Sequence, residues 1–74
     1  MMDVKTAKCK DLVGVTAMTR RRLLNVREDQ LDRYTPVKIV STHRGMFCVS
    51  GQGKDCEGRP KQVMIRQVRR EDLA

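Results

Sequence analysis

Aromatic side chains are nearly missing from this sequence. It holds one phenylalanine, Phe47, one tyrosine, Tyr34, and no tryptophan. Proteins that read single-stranded nucleic acid stack its bases on such rings, so that readout has little to work with. A core without aromatics must be filled by valine, leucine, isoleucine and methionine. Long apolar runs are missing too. No segment approaches the roughly 20 residues of a membrane span, and none has the apolar centre of a secretion signal. The chain is therefore expected in the cytoplasm. No CxxC or HxxxH pair occurs. The three cysteines, Cys9, Cys48 and Cys56, are an odd number without secretory context. They read as free thiols in a reducing compartment.

Acidic residues are outnumbered. Sixteen Lys and Arg face nine Asp and Glu, for a net charge of +7. Such a field attracts nucleic acid, an acidic protein surface or anionic lipid, and the missing apolar run makes lipid the weakest of the three. Seventy-four residues make one domain. A chain of this size buries only about 60 % of its unfolded surface, so its core is small. A deep catalytic cleft is hard to build from so little material, which favours a binding module over an enzyme.

The organising stretch runs from Thr35 to Leu73. Pro36-Val-Lys-Ile-Val-Ser-Thr42 is β-branched, with Val37 and Ile39 opposite Lys38, the period of a half-buried strand. His43-Arg-Gly45 breaks the run, and Gly45 supplies the backbone freedom of a tight turn. Met46-Phe-Cys-Val49 resumes it, so 36–42 and 46–50 form a hairpin, stopped by Gly51 and Gly53. A ten-residue loop, Gly51 to Pro60, precedes a third strand, Lys61 to Val68. There Val63 and Ile65 share one face, and Met64, Arg66 and Val68 share the other. Arg69-Arg-Glu-Asp-Leu73 reads as a one-turn plug carried by Leu73. Residues 16–31 fit a helix or a strand. Three consecutive arginines in a first helical turn would oppose the helix dipole, so the strand is preferred, with Leu24, Val26 and Arg22 inward. The expected architecture is mainly β, a small curved antiparallel sheet or a partly open SH3-like barrel. Residues 1–15 are expected to be a loosely ordered N-terminal segment and residues 16–74 a single small β-rich domain. Over about residues 20–73 this order of elements resembles the SH3-like barrels of ribosome- and polymerase-associated proteins. Val63-Met-Ile-Arg-Gln-Val68 followed by Glu71-Asp-Leu73 is the most barrel-like piece.

Three chemical motifs can be weighed. His43, Cys48 and Cys56 lie within fourteen residues, with Cys9 as a possible fourth zinc ligand. Without a close ligand pair, a buried thiol at Cys48 is the better reading. A Cys48–His43 nucleophile pair would need a third, orienting group that nothing supplies. Gly51-Gln-Gly53-Lys54 resembles a phosphate loop, but Asp55, Glu57 and Pro60 follow where a helix N-terminus is required. No catalytic residue, metal or cofactor is expected.

The arginine clusters are the functional candidates. Arg20, Arg21 and Arg22 form one, and Arg69 and Arg70 another. Lys61 and Arg66 lie on the strand before the second cluster, and Arg27 and Arg33 on the polar loop after the first. If the first and last strands meet, the two clusters with Lys61 and Arg66 make one basic face, suited to phosphates or an acidic protein patch, and Arg27 and Arg33 join them as partner-binding candidates. Glu28, Asp29 and Asp32 on one loop, and Asp55 and Glu57 on the other, would repel a phosphate backbone but could pair with a protein. Protein binding by a monomer is therefore placed first, and phosphate-backbone binding second. In size, charge and general character the chain resembles small phage-encoded transcription regulators of the Xanthomonas-phage type. That resemblance implies a non-catalytic protein that binds host RNA polymerase, inhibiting initiation and modulating termination.

Overall fold

The computed structural model describes residues 9–74. The strands are Thr16–Met18 (β1), Leu23–Leu24 (β2), Gln30–Leu31 (β3), Pro36–His43 (β4), Met46–Lys54 (β5) and Pro60–Val68 (β6). Two 3-10 turns, Cys9–Leu12 and Arg70–Asp72, flank them. The stretch read as helix or strand thus holds three short strands and no helix. β1, β4, β5 and β6 pair in that order, and β3 joins the far end of β5 with β2 beside it. All pairings are antiparallel, and the sheet is not closed into a barrel.

β4 and β5 form the expected hairpin, with His43 opposite Met46. Its two-residue turn puts Arg44 at φ 53° and Gly45 at φ 80°. Positive φ at both positions matches the twist of the flanking strands, and only the second falls to glycine here.

Gly51 and Gly53 do not stop β5, which runs on to Lys54 and leaves only residues 55–59 as loop. They are instead where other chain segments lie against the strand. A Cβ at Gly51 would sit 2.8 Å from Val37 Cγ1 and 3.0 Å from the Pro36 carbonyl oxygen. A Cβ at Gly53 would collide with the Gln30 carbonyl oxygen and crowd Val63 and Leu31. Glycine in a strand interior marks such close approach, so β5 has room for β4, β6 and β3 together.

Two expected facings differ. In the β2–β3 hairpin Leu23 is opposite Leu31, which is fully buried. Opposed residues share a face, so Leu23 is the inward residue, while Leu24 is 53 % exposed and Val26 fully exposed. A register one residue from the expected one turns every side chain over, and Arg22 is exposed as well. In β6, Val63 and Ile65 point inward as expected, but so does Val68. The β5–β6 register shifts between Phe47 and Val49, and Gln67 takes φ 59°. This bulge inserts one residue and returns Val68 to the core, leaving Met64 and Arg66 outside.

The core is aliphatic around Phe47, as the shortage of aromatics requires. Leu73 is fully buried after its 3-10 turn, the plug read from the sequence. Of the fifteen residues expected to be loose, 1–8 lie outside the described residues. Leu12 is fully buried in the core, and the Gly14 N–H donates to the Ile39 carbonyl at 2.7 Å.

Gly53→Ala is expected to lower unfolding free energy by more than about 2 kcal/mol, since the colliding atom is backbone. Gly58→Ala, with open space around its Cβ but φ +84°, should cost only about 1 kcal/mol. Urea denaturation of the two variants checks the order.

Candidate functional site

Two loops share one design, and the first of them borders the site. In residues 25–29 the Asn25 Oδ1 accepts the N–H groups of Arg27 at 2.9 Å and Asp29 at 3.0 Å. In residues 55–59 the Asp55 Oδ1 accepts those of Glu57 and Arg59, both at 2.9 Å. The fourth residue of each loop has positive φ, 63° at Glu28 and 84° at Gly58. A short side-chain acceptor that satisfies backbone donors ahead of it is what such a turn needs.

Two of the nine candidate basic residues are engaged by buried carboxylates. Arg21 grips Asp72 with both Nε at 2.6 Å and an Nη at 3.2 Å. The Arg69 N–H also donates to Asp72 at 3.2 Å. Lys61 Nζ donates to Asp29 at 2.9 Å, and the Asn25 amide reaches the same carboxylate oxygen at 3.1 Å. Side-chain exposure is 7 % at Asp72 and 6 % at Asp29. Hydrogen bonding from Arg21 holds the Asp72 carboxyl below its ordinary range, against the opposing effect of burial. Hydrogen bonds from Lys61 and then Asn25 do the same for Asp29. Asp72 thus ties the C-terminal turn to the segment after β1, and Asp29 ties the β2–β3 hairpin to β6.

The other candidates are distributed. Arg20 and Arg33 are exposed, and Arg33 lies 4.5 Å over the Tyr34 ring. Arg69 pairs with Glu71 at 3.4 Å, and Arg70 lies 6.0 Å from the Phe47 ring centre. Arg22 and Arg66 line one groove of about 220 Å³ between β2 and β6, together with Arg21 and Asp72. Arg27, Lys61 and Arg66 line a neighbouring groove of about 850 Å³. β2 and β6, the expected first and last strands, therefore flank the same grooves, but no ladder joins them among the described residues. Their approach brings Arg22, Arg27 and Arg66 to one region, and leaves Arg20, Arg33, Arg69 and Arg70 outside those two grooves.

The apolar part of the site was not anticipated. Leu24, Val26 and Met64 line the larger groove with exposures of 53 %, 101 % and 48 %. Across β6, Met64 and Arg66 also border a third groove of about 620 Å³ with Val40, Met46 and Phe47. The available signal was apolar residues at the outward positions of alternating strands. His43 and Cys48 share that third groove, whereas Cys56 is exposed on the 55–59 loop. No three metal-ligating side chains gather among the described residues, and no helix there is long and apolar enough to cross a membrane. Comparison with protein-family models, with curated proteins and with solved structures finds no match to this chain.

Both depressed carboxyls contribute stability that is present above their unfolded pKa, about 4, and is lost as pH falls through the lower folded values. Urea midpoints of the wild type should therefore fall as pH drops below about 4. Asp72→Asn should start less stable at pH 7 and show a shallower acid decline. Equal acid slopes for both proteins would assign the loss to other groups.

Proposed function

We propose that this chain is a small non-enzymatic regulator that docks on a large protein assembly through the grooves flanking β6. The observation that carries the reading is the meeting of exposed Leu24, Val26 and Met64 with Arg22, Arg27 and Arg66. Protein interfaces are enriched in methionine and arginine, and their energetic centres combine apolar contact with guanidinium groups. The side chains of Arg22, Arg27 and Arg66 make no ion pair among the described residues, so they remain available to a partner's carboxylates. The shifted ionisations, at Arg21, Asp29 and Asp72, have their causes in ion pairs that hold the fold. They do not need a reaction to account for them. Bacterial RNA polymerase is the assembly the family resemblance implies, with the cytoplasm as the place of action.

The test uses the tagged full chain and purified bacterial RNA polymerase, with nuclease and moderate salt to strip contacts made through nucleic acid. Retention of polymerase is expected. The double variant Arg22→Glu/Arg66→Glu should weaken it at least about ten-fold, roughly 1.4 kcal/mol, with an unchanged melting temperature. Arg21→Glu should instead lower the melting temperature, because it leaves Asp72 without its partner. Binding that vanishes with nuclease would move phosphate-backbone recognition to first place.

A further inference from the structure

β6 is nine residues long and bonds to β5 along one side. Its other side faces the groove and meets no strand among the described residues. In an antiparallel strand, peptide groups point alternately toward and away from a given neighbour. Met64 belongs to the outward set, since its carbonyl oxygen receives the Asn25 side-chain amide, at 3.4 Å. Gln62, two residues earlier, shares that phase. On the opposite wall, the Asn25 N–H donates to the Asp29 carbonyl at 3.1 Å inside its own hairpin. Leu24, one residue before, then turns its peptide groups outward to the same groove. No backbone hydrogen bond spans from β2 to β6 among the described residues. The groove has a volume of about 850 Å³ and is bordered by the edge of β6. Two side-chain contacts join its walls, the Lys61–Asp29 ion pair at 2.9 Å and the Asn25 amide on the Met64 carbonyl, and an added strand must displace the second and run beside the first.

We infer that this groove takes an extended, acidic and apolar segment of a partner protein as an added strand along β6; the inference rests on the docking reading above and specifies its mode. An unpaired edge is a template for a further strand, whose backbone supplies affinity and whose side chains supply selectivity. Leu24, Val26 and Met64 offer an apolar wall, and Arg27 and Arg66 call for carboxylates beside it. A second copy of this chain is a poor occupant. It would bring a net charge of +7 and its own Arg27 and Arg66 against the same arginines. The Asn25 amide marks the place at Met64 that an incoming peptide N–H takes over.

The probe is a nine-residue peptide of alternating glutamate and valine, matching the length of β6, added to the full-length protein. Saturable binding is expected, with slowed hydrogen exchange at the amides of Gln62 and Met64. Methylating alternate backbone nitrogens of the peptide, which leaves its side chains intact, should weaken binding about ten-fold or more by removing edge hydrogen bonds. Equal binding of the methylated peptide, or binding without protection at Gln62 and Met64, would overturn strand addition in favour of charge pairing. No binding of the peptide would overturn it outright. So would a single-stranded oligonucleotide that displaced the peptide at far lower concentration. None of these failures alters the result with polymerase, so the docking reading would still be judged on its own.

Discussion

β5 supports the whole sheet because it lacks side chains at two places. It bonds to β4 and β6 along its length and to β3 at Lys54. Any Cβ at Gly53 would collide with the Gln30 carbonyl oxygen, and one at Gly51 would press on Val37. Remove that clearance and β3 moves off. With it go the Leu31 contact to the core and the β2–β3 hairpin that forms one wall of the grooves. The shape of the surface is therefore set by a steric constraint in the strand beside it, where Gly53 pairs with Lys61 and meets Gln30.

A second layer of organisation is electrostatic. A short chain with few aromatics has limited apolar area to bury, and here two nearly buried carboxylates link segments distant in sequence, Asp72 to Arg21 and Asp29 to Lys61. Each is satisfied by more than one donor, the condition under which a buried charge is tolerable. The basic excess is thereby divided. Some cations hold the fold together, and others, such as Arg66, stand beside exposed methionine and leucine where a partner can reach them.

Strand type and the position of the β4–β5 hairpin were legible because β-branched alternation and the Arg44-Gly45 turn are local signals. The inward set of β6 was legible only as far as Ile65. Beyond it, the bulge at Gln67 shifts the phase, and nothing local in Arg66-Gln67-Val68 announces a positive φ at glutamine. Gly51 and Gly53 look like breakers in the sequence because their role depends on Gln30 and Val37, far away in the chain. The same limit applies to the site. Arg22, Arg27 and Arg66 could be named as cations from composition. Their separation from Arg20 and Arg33, and their meeting with Leu24, Val26 and Met64, follow from the β2 register, which is set by Leu31 across its hairpin. The engagement of Arg21 was likewise hidden, since its carboxylate lies at the other end of the chain.

The bridge between Thr19 and Leu73, with Met18 and Ala74 exchanging hydrogen bonds of 3.0 and 2.8 Å, bears on the order of folding. The β4–β5 and β5–β6 hairpins connect neighbours in sequence and can form early at small loop-closure cost. β1 completes its pairing only when residues 73 and 74 arrive. The hairpins can therefore assemble while β1 still has one open side, and the segment that follows β6 latches onto it afterwards.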